Sequence, residues 1–406
     1  MAGGALSALA WGRLRAAPAA ARIALVYLAA RLITTAFLLL AAEISGPGSR
    51  FGEQATLGSF VMGWDAEWYG FIAAQGYPSD LPRDDSGNVA TNQWAFMPLF
   101  PLIARIVGAP FGNYGAGALI VALVAGYLAA LVLHAILRER IGEGAAMWSV
   151  VFFVSGPLAA LFHVGYAESL FLLWLFCALW CVQRRRFGWL YLLIPLMGYT
   201  RPGVLAFSLF LALFGIWRWW QRRTEPLGVG EIIHIVALGL WAAVIGFSWQ
   251  WIVGAVTGDP AGYLETELSW RRAWTGESGG FVPFDGFVRA AGIWFPLWGL
   301  PAEWGYVALG LGVVAVAGML LFVPHVRRLG MEVRLWSASY VVYLLAVFFP
   351  QSSVFRLLLP MSPLLGALAI PRSRVWRAGV LGVCLCGQWW WIYNMYAVAS
   401  TYYQIP

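Results

Sequence analysis

The chain contains no lysine: all 26 of its basic residues are arginine, set against 19 acidic residues for a net charge of +7. Such a bias reads as the codon usage of a GC-rich genome, hence a bacterium. Charge of either sign is scarce, at 11% of 406 residues, less than half of the roughly 25% usual in soluble domains. Hydrophobic residues make up 61% and the mean hydropathy is +0.72. A water-soluble fold cannot hide that much apolar surface, which leaves a polytopic membrane protein. Cysteine is rare too. Cys177 and Cys181 share one apolar run and Cys384 and Cys386 another. Their neighbours are not metal ligands, so they read as small apolar residues and no disulfide framework is implied. No glycine-rich phosphate loop is visible, which argues against a nucleotide-sugar fold. The basic balance does not signal nucleic acid, because the arginines stand between hydrophobic runs, where topology explains them.

What is abundant is apolar sequence in lengths of about 20 residues, enough to span a bilayer. About eleven runs are expected, near 23–42, 115–137, 145–163, 166–182, 187–200, 202–219, 231–256, 304–323, 335–349, 357–370 and 378–398. The first follows Arg13, Arg15 and Arg22 and could pass for a signal peptide, but is read as a retained first helix. Those arginines, and the clusters Arg138/Arg140, Arg184/Arg185/Arg186, Arg218/Arg222/Arg223, Arg327/Arg328/Arg334 and Arg372/Arg374/Arg377, fall in every second gap. By the positive-inside rule the N-terminus is then cytoplasmic and the C-terminus outside. Trp389, Trp390, Trp391, Tyr402 and Tyr403 would be an outer aromatic anchor. One domain is expected over 1–406, with long outer loops at 43–114 and 257–303. In the first, Trp64, Trp68 and Phe71 share one helical face, as do Leu99, Leu102, Ile103 and Ile106. Both segments are expected to lie in the outer membrane interface.

The polar residues that interrupt this pattern converge on the outer side. Asp65 and Glu67 lie in GWDAEWYGFIAAQGYP, His163, Tyr166 and Glu168 in HVGYAES, Arg201 in YTRPG, and Arg356 in FPQSSVFRLLLP. No comparable mixed-sign set is expected inside. Arg201 and Arg356 oppose the positive-inside trend, and each is expected to begin a helix, where a cation costs about 0.3–1 kcal/mol. An anion is implied: an outer carboxylate such as Glu168, or a phosphate. Asp65 has a plain reading as a helix N-cap, Glu67 and Glu168 as first-turn acids, and His163 as a packing residue. Arg31, mid-run, is expected to pair with a carboxylate. Arg271 and Arg272, among Glu265, Glu267 and Glu277, read as a solvated, charge-balanced face.

GWDAEWYGFIAAQGY followed by AFMPLFPLIAR resembles the first outer loop of the PIG-V-type mannosyltransferases, the GPI mannosyltransferase 2 family and its bacterial relatives. YAESLFLLW, YTRPGVLAF and SSVFRLLLPMSPLL are similar to further segments of that family in the same order, across about 20–370. Glu67, Met97 and the Ser-Gly-Pro at 155–157 depart from its pattern; Asp65 does not. The resemblance implies an all-α polytopic GT-C glycosyltransferase fold in the bacterial plasma membrane, with its active site on the extracytoplasmic face. It implies a polyprenyl-phosphate mannose donor and a glycolipid or glycan acceptor.

The chemistry fits the residues. The acceptor hydroxyl loses a proton, and one carboxylate within hydrogen-bond reach can take it; by resemblance and position that is Asp65. The leaving phosphate needs no proton, unlike a glycosidase leaving group, but needs cations where charge develops; Arg201 and Arg356 are the candidates. Trp64, Glu67, Tyr69, His163, Tyr166 and Glu168 complete the expected substrate-binding set. Direct displacement would turn a β-phosphomannose into an α-mannoside. No Asp-x-Asp is present in the first outer loop, so no cofactor or metal is expected. The rival readings are a transporter or lipid-linked sugar flippase, which predicts polar groups near the bilayer midplane, and a non-catalytic assembly subunit, in which Asp65 would be dispensable.

Overall fold

A computed structural model describes residues 18–276 and 279–400; Arg13, Arg15, Glu277, Tyr402 and Tyr403 lie outside the described residues. Among those described, every regular element is helical, and an isolated bridge joins Arg83 to Val89. The principal helices are α1 (Ala19–Glu43), α2 (Asp65–Gln75), α3 (Leu99–Gly108), α4 (Tyr114–Ile141), α5 (Glu143–Val154), α6 (Glu168–Gln183), α7 (Leu190–Gly198), α8 (Val204–Gln221), α9 (Val229–Thr257), α10 (Gly262–Thr275), α11 (Asp285–Leu297), α12 (Ala302–Phe322), α13 (Met331–Val347), α14 (Val354–Leu357) and α15 (Arg374–Ile392).

Each expected apolar run carries helix, but among the described residues only five helices, α1, α4, α8, α9 and α12, are long and apolar enough to cross a membrane. Others are short or broken for identifiable reasons. Ser155, Gly156 and Pro157 stop α5, and the chain resumes as a tight turn, Ala159–His163. Pro360 and Pro363 confine Leu359–Leu364 to a 3-10 turn, because proline cannot donate to the helical ladder. Carbonyls freed in a membrane protein must find donors. Arg31 supplies two, donating Nη1 to Ala159 O and Nη2 to Val154 O at 2.6 Å each. Its partner is thus a broken helix end, not the expected carboxylate, with Tyr27 and Phe162 against the guanidinium.

The core runs along α4, whose buried face is small: Gly117, Ala118, Ala122, Ala125, Gly126, Ala129 and Ala130. Small residues let helices approach closely where no hydrophobic force drives them together. A Cβ on Gly117 would stand 2.1 Å from Ala104 O, so α3 lies almost against α4 there. Asn113 caps α4 by accepting from Ala116 N at 3.0 Å.

The two short helices of the first long loop present different faces. On α3, Phe100 and Ala104 are buried; of the expected apolar stripe Leu102 and Ile106 are exposed, while Leu99 and Ile103 are half-buried, Ile103 against the core. On α2 the packed face is Ala66, Tyr69, Ile72 and Ala73, not Trp64, Trp68 and Phe71. Trp68 instead meets Trp270 of α10, because the second long loop folds over the first. Trp391 is also reassigned: it is buried against Tyr396 rather than serving as a surface anchor.

Candidate functional site

The site begins with a strained turn. Trp64 precedes α2 at φ 58°, ψ −125°, a region that bulky residues avoid. Its indole donates to Met395 O at 2.9 Å, and the Arg50 guanidinium lies 4.7 Å over its ring. The turn makes Asp65 the first helical residue instead of the N-cap, and no side-chain cap is formed. Its backbone N–H donates to the Tyr166 hydroxyl at 3.3 Å. Its carboxylate accepts from Arg356 Nη1 at 2.5 Å, with 21% of the side chain still exposed.

Arg356 connects Asp65 to a second carboxylate. Glu168, at the first position of α6 and buried, accepts from Arg201, and Arg356 Nη1 stands 3.6 Å from the same Glu168 oxygen. Four charges from three distant stretches and the first loop thus form one chain: Arg201, Glu168, Arg356, Asp65. Neither arginine begins a helix as expected. Arg201 lies in the turn before α8, which Gly203 enters at φ +134°; Arg356 lies in the short α14. The macrodipole argument therefore does not apply, and adjacent carboxylates supply the compensating charge. Burial works against the Arg356 cation, but Asp65 and Glu168 outweigh it and hold its pKa above the usual arginine range. Arg356 Nε is buried without a hydrogen-bond partner, and the ring of Tyr166 lies 5.5 Å from the guanidinium carbon. Tyr69, one turn beyond Asp65, is held between Phe96 and Phe100. Burial, then Glu168 and Asp65, push its phenol well above 10, so it remains a proton-bearing donor at neutral pH.

Two expected members stand apart. Glu67, two residues from Asp65 and so on another side of the helix, is exposed and pairs with Arg50 at 2.9 Å. His163 lies 3.3 Å from Thr35 Oγ1, its Nδ1 unpaired, on the side of Arg31. Other residues were not singled out from the sequence. Tyr340 and Tyr343 of α13 border the Arg201 side; their spacing of three was the available signal. Arg271 and Arg272 are not a solvated face. Arg272 donates to Val89 O at 2.7 Å and pairs with Glu265 at 3.0 Å, while Arg271 lies 4.9 Å over Phe349. They fasten α10 to the first loop and to the segment before Arg356. Among the described residues, no three His, Cys, Asp or Glu side chains gather as metal ligands.

The chain is similar in structure to ArnT from Cupriavidus metallidurans bound to undecaprenyl phosphate, with a TM-score of 0.50, 16% identity, and coverage of 90% of this chain and 62% of that one. The fold is GT-C. In its apo state ArnT gives a TM-score of 0.47 at 17% identity, over 87% of this chain and 59% of that one. The Archaeoglobus fulgidus oligosaccharyltransferase in complex with Zn and sulfate gives 0.45 at 14% identity, over 91% and 53%. The chain thus spans about three-fifths of the length of ArnT. No protein-family model and no curated protein matches the sequence. The expected all-α polytopic membrane architecture with a GT-C fold is therefore met.

Proposed function

We propose that this protein is an inverting glycosyltransferase that moves a sugar from a polyprenyl-phosphate carrier to a hydroxyl at the outer face of the bacterial plasma membrane. The sugar is assigned as mannose from the PIG-V-type resemblance, the product as an α-mannoside, and the acceptor as a glycolipid or glycan. The observation that carries the reading is the Arg356 bridge. One guanidinium nitrogen serves both Asp65 and Glu168, while Nε has no acceptor. A phosphate offers several acceptor oxygens to such a group.

In the resting protein Arg356 occupies Asp65. A donor phosphodiester draws the guanidinium toward itself and frees the carboxylate. The acceptor oxygen then attacks the anomeric carbon, its proton passes to Asp65, and the carbon–oxygen bond to phosphate breaks with its electron pair going to the phosphate. Arg356, and Arg201 held by Glu168, balance that charge; the Tyr69 phenol is available as a further donor. The charge balance is assigned to these side chains, without a metal or cofactor.

The test is transfer from polyprenyl-phosphate [14C]mannose to a lipid extract by purified protein in liposomes. Transfer by the wild type, lost in a folded Asp65→Asn variant, is the expected result. Equal transfer by both would remove Asp65 as the base. No transfer by either, with a broad acceptor mixture, would overturn the enzyme and favour a flippase.

A further inference from the structure

A further carboxylate and an aromatic corner lie at α10, an element that the proposed reaction does not use. On α10, Glu267 and Trp270 are three residues apart, hence on one helical face. On α2, Asp65 and Trp68 have the same spacing. The two tryptophans meet at 5.6 Å and 80°, which brings those faces together. Trp68 stacks on Phe96 at 5.9 Å and 13°, and Trp270 stands at 88° to Phe96. The rings thus form a corner and not a closed stack. Trp68, Glu267 and Trp270 are each partly open to solvent. Asn92 Nδ2 donates to Thr266 Oγ1 at 3.0 Å, and Arg272 to Val89 O, so the position of α10 is fixed by the first loop.

From this juxtaposition we propose an acceptor subsite between α2 and α10, in which a sugar ring of the acceptor lies against Trp68 and Trp270 and Glu267 anchors one of its hydroxyls. This rests on the transferase reading and names the residues that position its acceptor. Aromatic faces beside a few placed polar groups suit a sugar, which is apolar on its ring faces and hydroxylated at its rim. A lipid tail would not need the half-buried carboxylate, and an extended peptide would be better served by an open sheet edge or backbone donors. Burial, opposed by the Tyr263 hydroxyl and reinforced by the Asp65 charge, pushes Glu267 up to about 7. The group can therefore accept or donate a hydrogen bond at neutral pH.

The experiment uses full-length protein in nanodiscs with polyprenyl-phosphate mannose and a panel of octyl glycosides, varying donor and acceptor separately. Trp270→Ala and Glu267→Gln are expected to raise the acceptor KM about tenfold or more, with a far smaller change in donor KM. Trp270→Phe, which keeps an aromatic face, is expected to recover most of the loss. A rise in donor KM instead, or an unchanged acceptor KM, would overturn the subsite while leaving the transferase intact. Failure of Trp270→Phe to recover activity, with thermal melting unchanged, would remove the stacking role. If the wild type transfers nothing, the transferase reading fails, and saturation-transfer NMR with the same glycosides decides the subsite. Binding by wild type that Trp270→Ala abolishes would keep it, and no binding would overturn it.

Discussion

Two clusters of two arginines and two carboxylates stand at different places in the bundle, and they differ in how fully they are satisfied. At the arginine-rich end, Arg218 and Arg185 share Glu225 and Glu231. Arg218 donates Nε to Glu231 at 2.8 Å, Nη1 to Glu225 at 2.8 Å, and Nη2 to Pro226 O at 3.2 Å. Every nitrogen of that guanidinium has an acceptor. At the candidate site Arg356 divides one nitrogen between Asp65 and Glu168, and Nε has none. The first cluster is a closed lock across a helix–helix turn. The second retains unused donor capacity beside a half-open carboxylate. Composition alone does not separate these two clusters; the use of each guanidinium's donors, together with the exposure of the carboxylate it holds, does. The expectation of no mixed-sign set on the arginine-rich side is corrected here, since Glu139, Glu143, Glu225, Glu231 and Glu332 all pair with arginines there.

Breaking the two clusters should have opposite consequences. The largest effect is expected for Asp65→Asn, a loss of about 10²–10⁴ in transfer rate with the melting temperature nearly unchanged. Next is Arg356→Ala, expected to lower kcat by about 10²–10³ and to weaken protection by polyprenyl phosphate in a thermal-shift assay. Arg218→Ala should do the reverse. It should cost about 1–3 kcal/mol of stability, below the 3–5 of a fully buried pair because Glu225 is exposed, while activity per folded molecule stays near wild type. Denaturation and kinetics on the same samples distinguish these cases.

Two smaller effects sharpen the contrast. Glu267 is lifted from 4.5 to about 7, mainly by burial, so the folded state favours its protonated form. Its contribution is complete below pH 4.5 and is lost as pH rises through 7. Melting temperature should therefore fall between pH 5 and 8, on the order of 2 °C, and Glu267→Gln should flatten that slope. Asp65 and the Tyr263 and Tyr343 hydroxyls are the groups that surround it. Smallest is Glu67→Gln: its exposed pair with Arg50 is worth under about 1 kcal/mol, and transfer should change little. A large loss there would show that Glu67 reaches substrate from its side of α2.

The membrane class, the alternation of arginine-bearing gaps and most helix positions were legible because they depend on local composition and periodicity. The four-residue chain was legible only as a convergence on one side. Its pairing joins Asp65 to Arg356, 291 residues apart, and no local pattern encodes such a contact. Both the capping role expected of Asp65 and the helix-start role expected of the arginines assumed regular boundaries. The strained Trp64 turn and the pre-α8 loop at Arg201–Gly203 shifted those boundaries by one to three residues.

Apolar length, arginine placement and proline positions by themselves determined that this chain is a helical membrane protein with polar groups concentrated between particular runs, because lipid admits few backbone solutions. Tertiary structure alone decided which of those groups touch. It bent α10 over α2 and left one nitrogen of Arg356 unsatisfied, since these outcomes depend on packing between segments hundreds of residues apart.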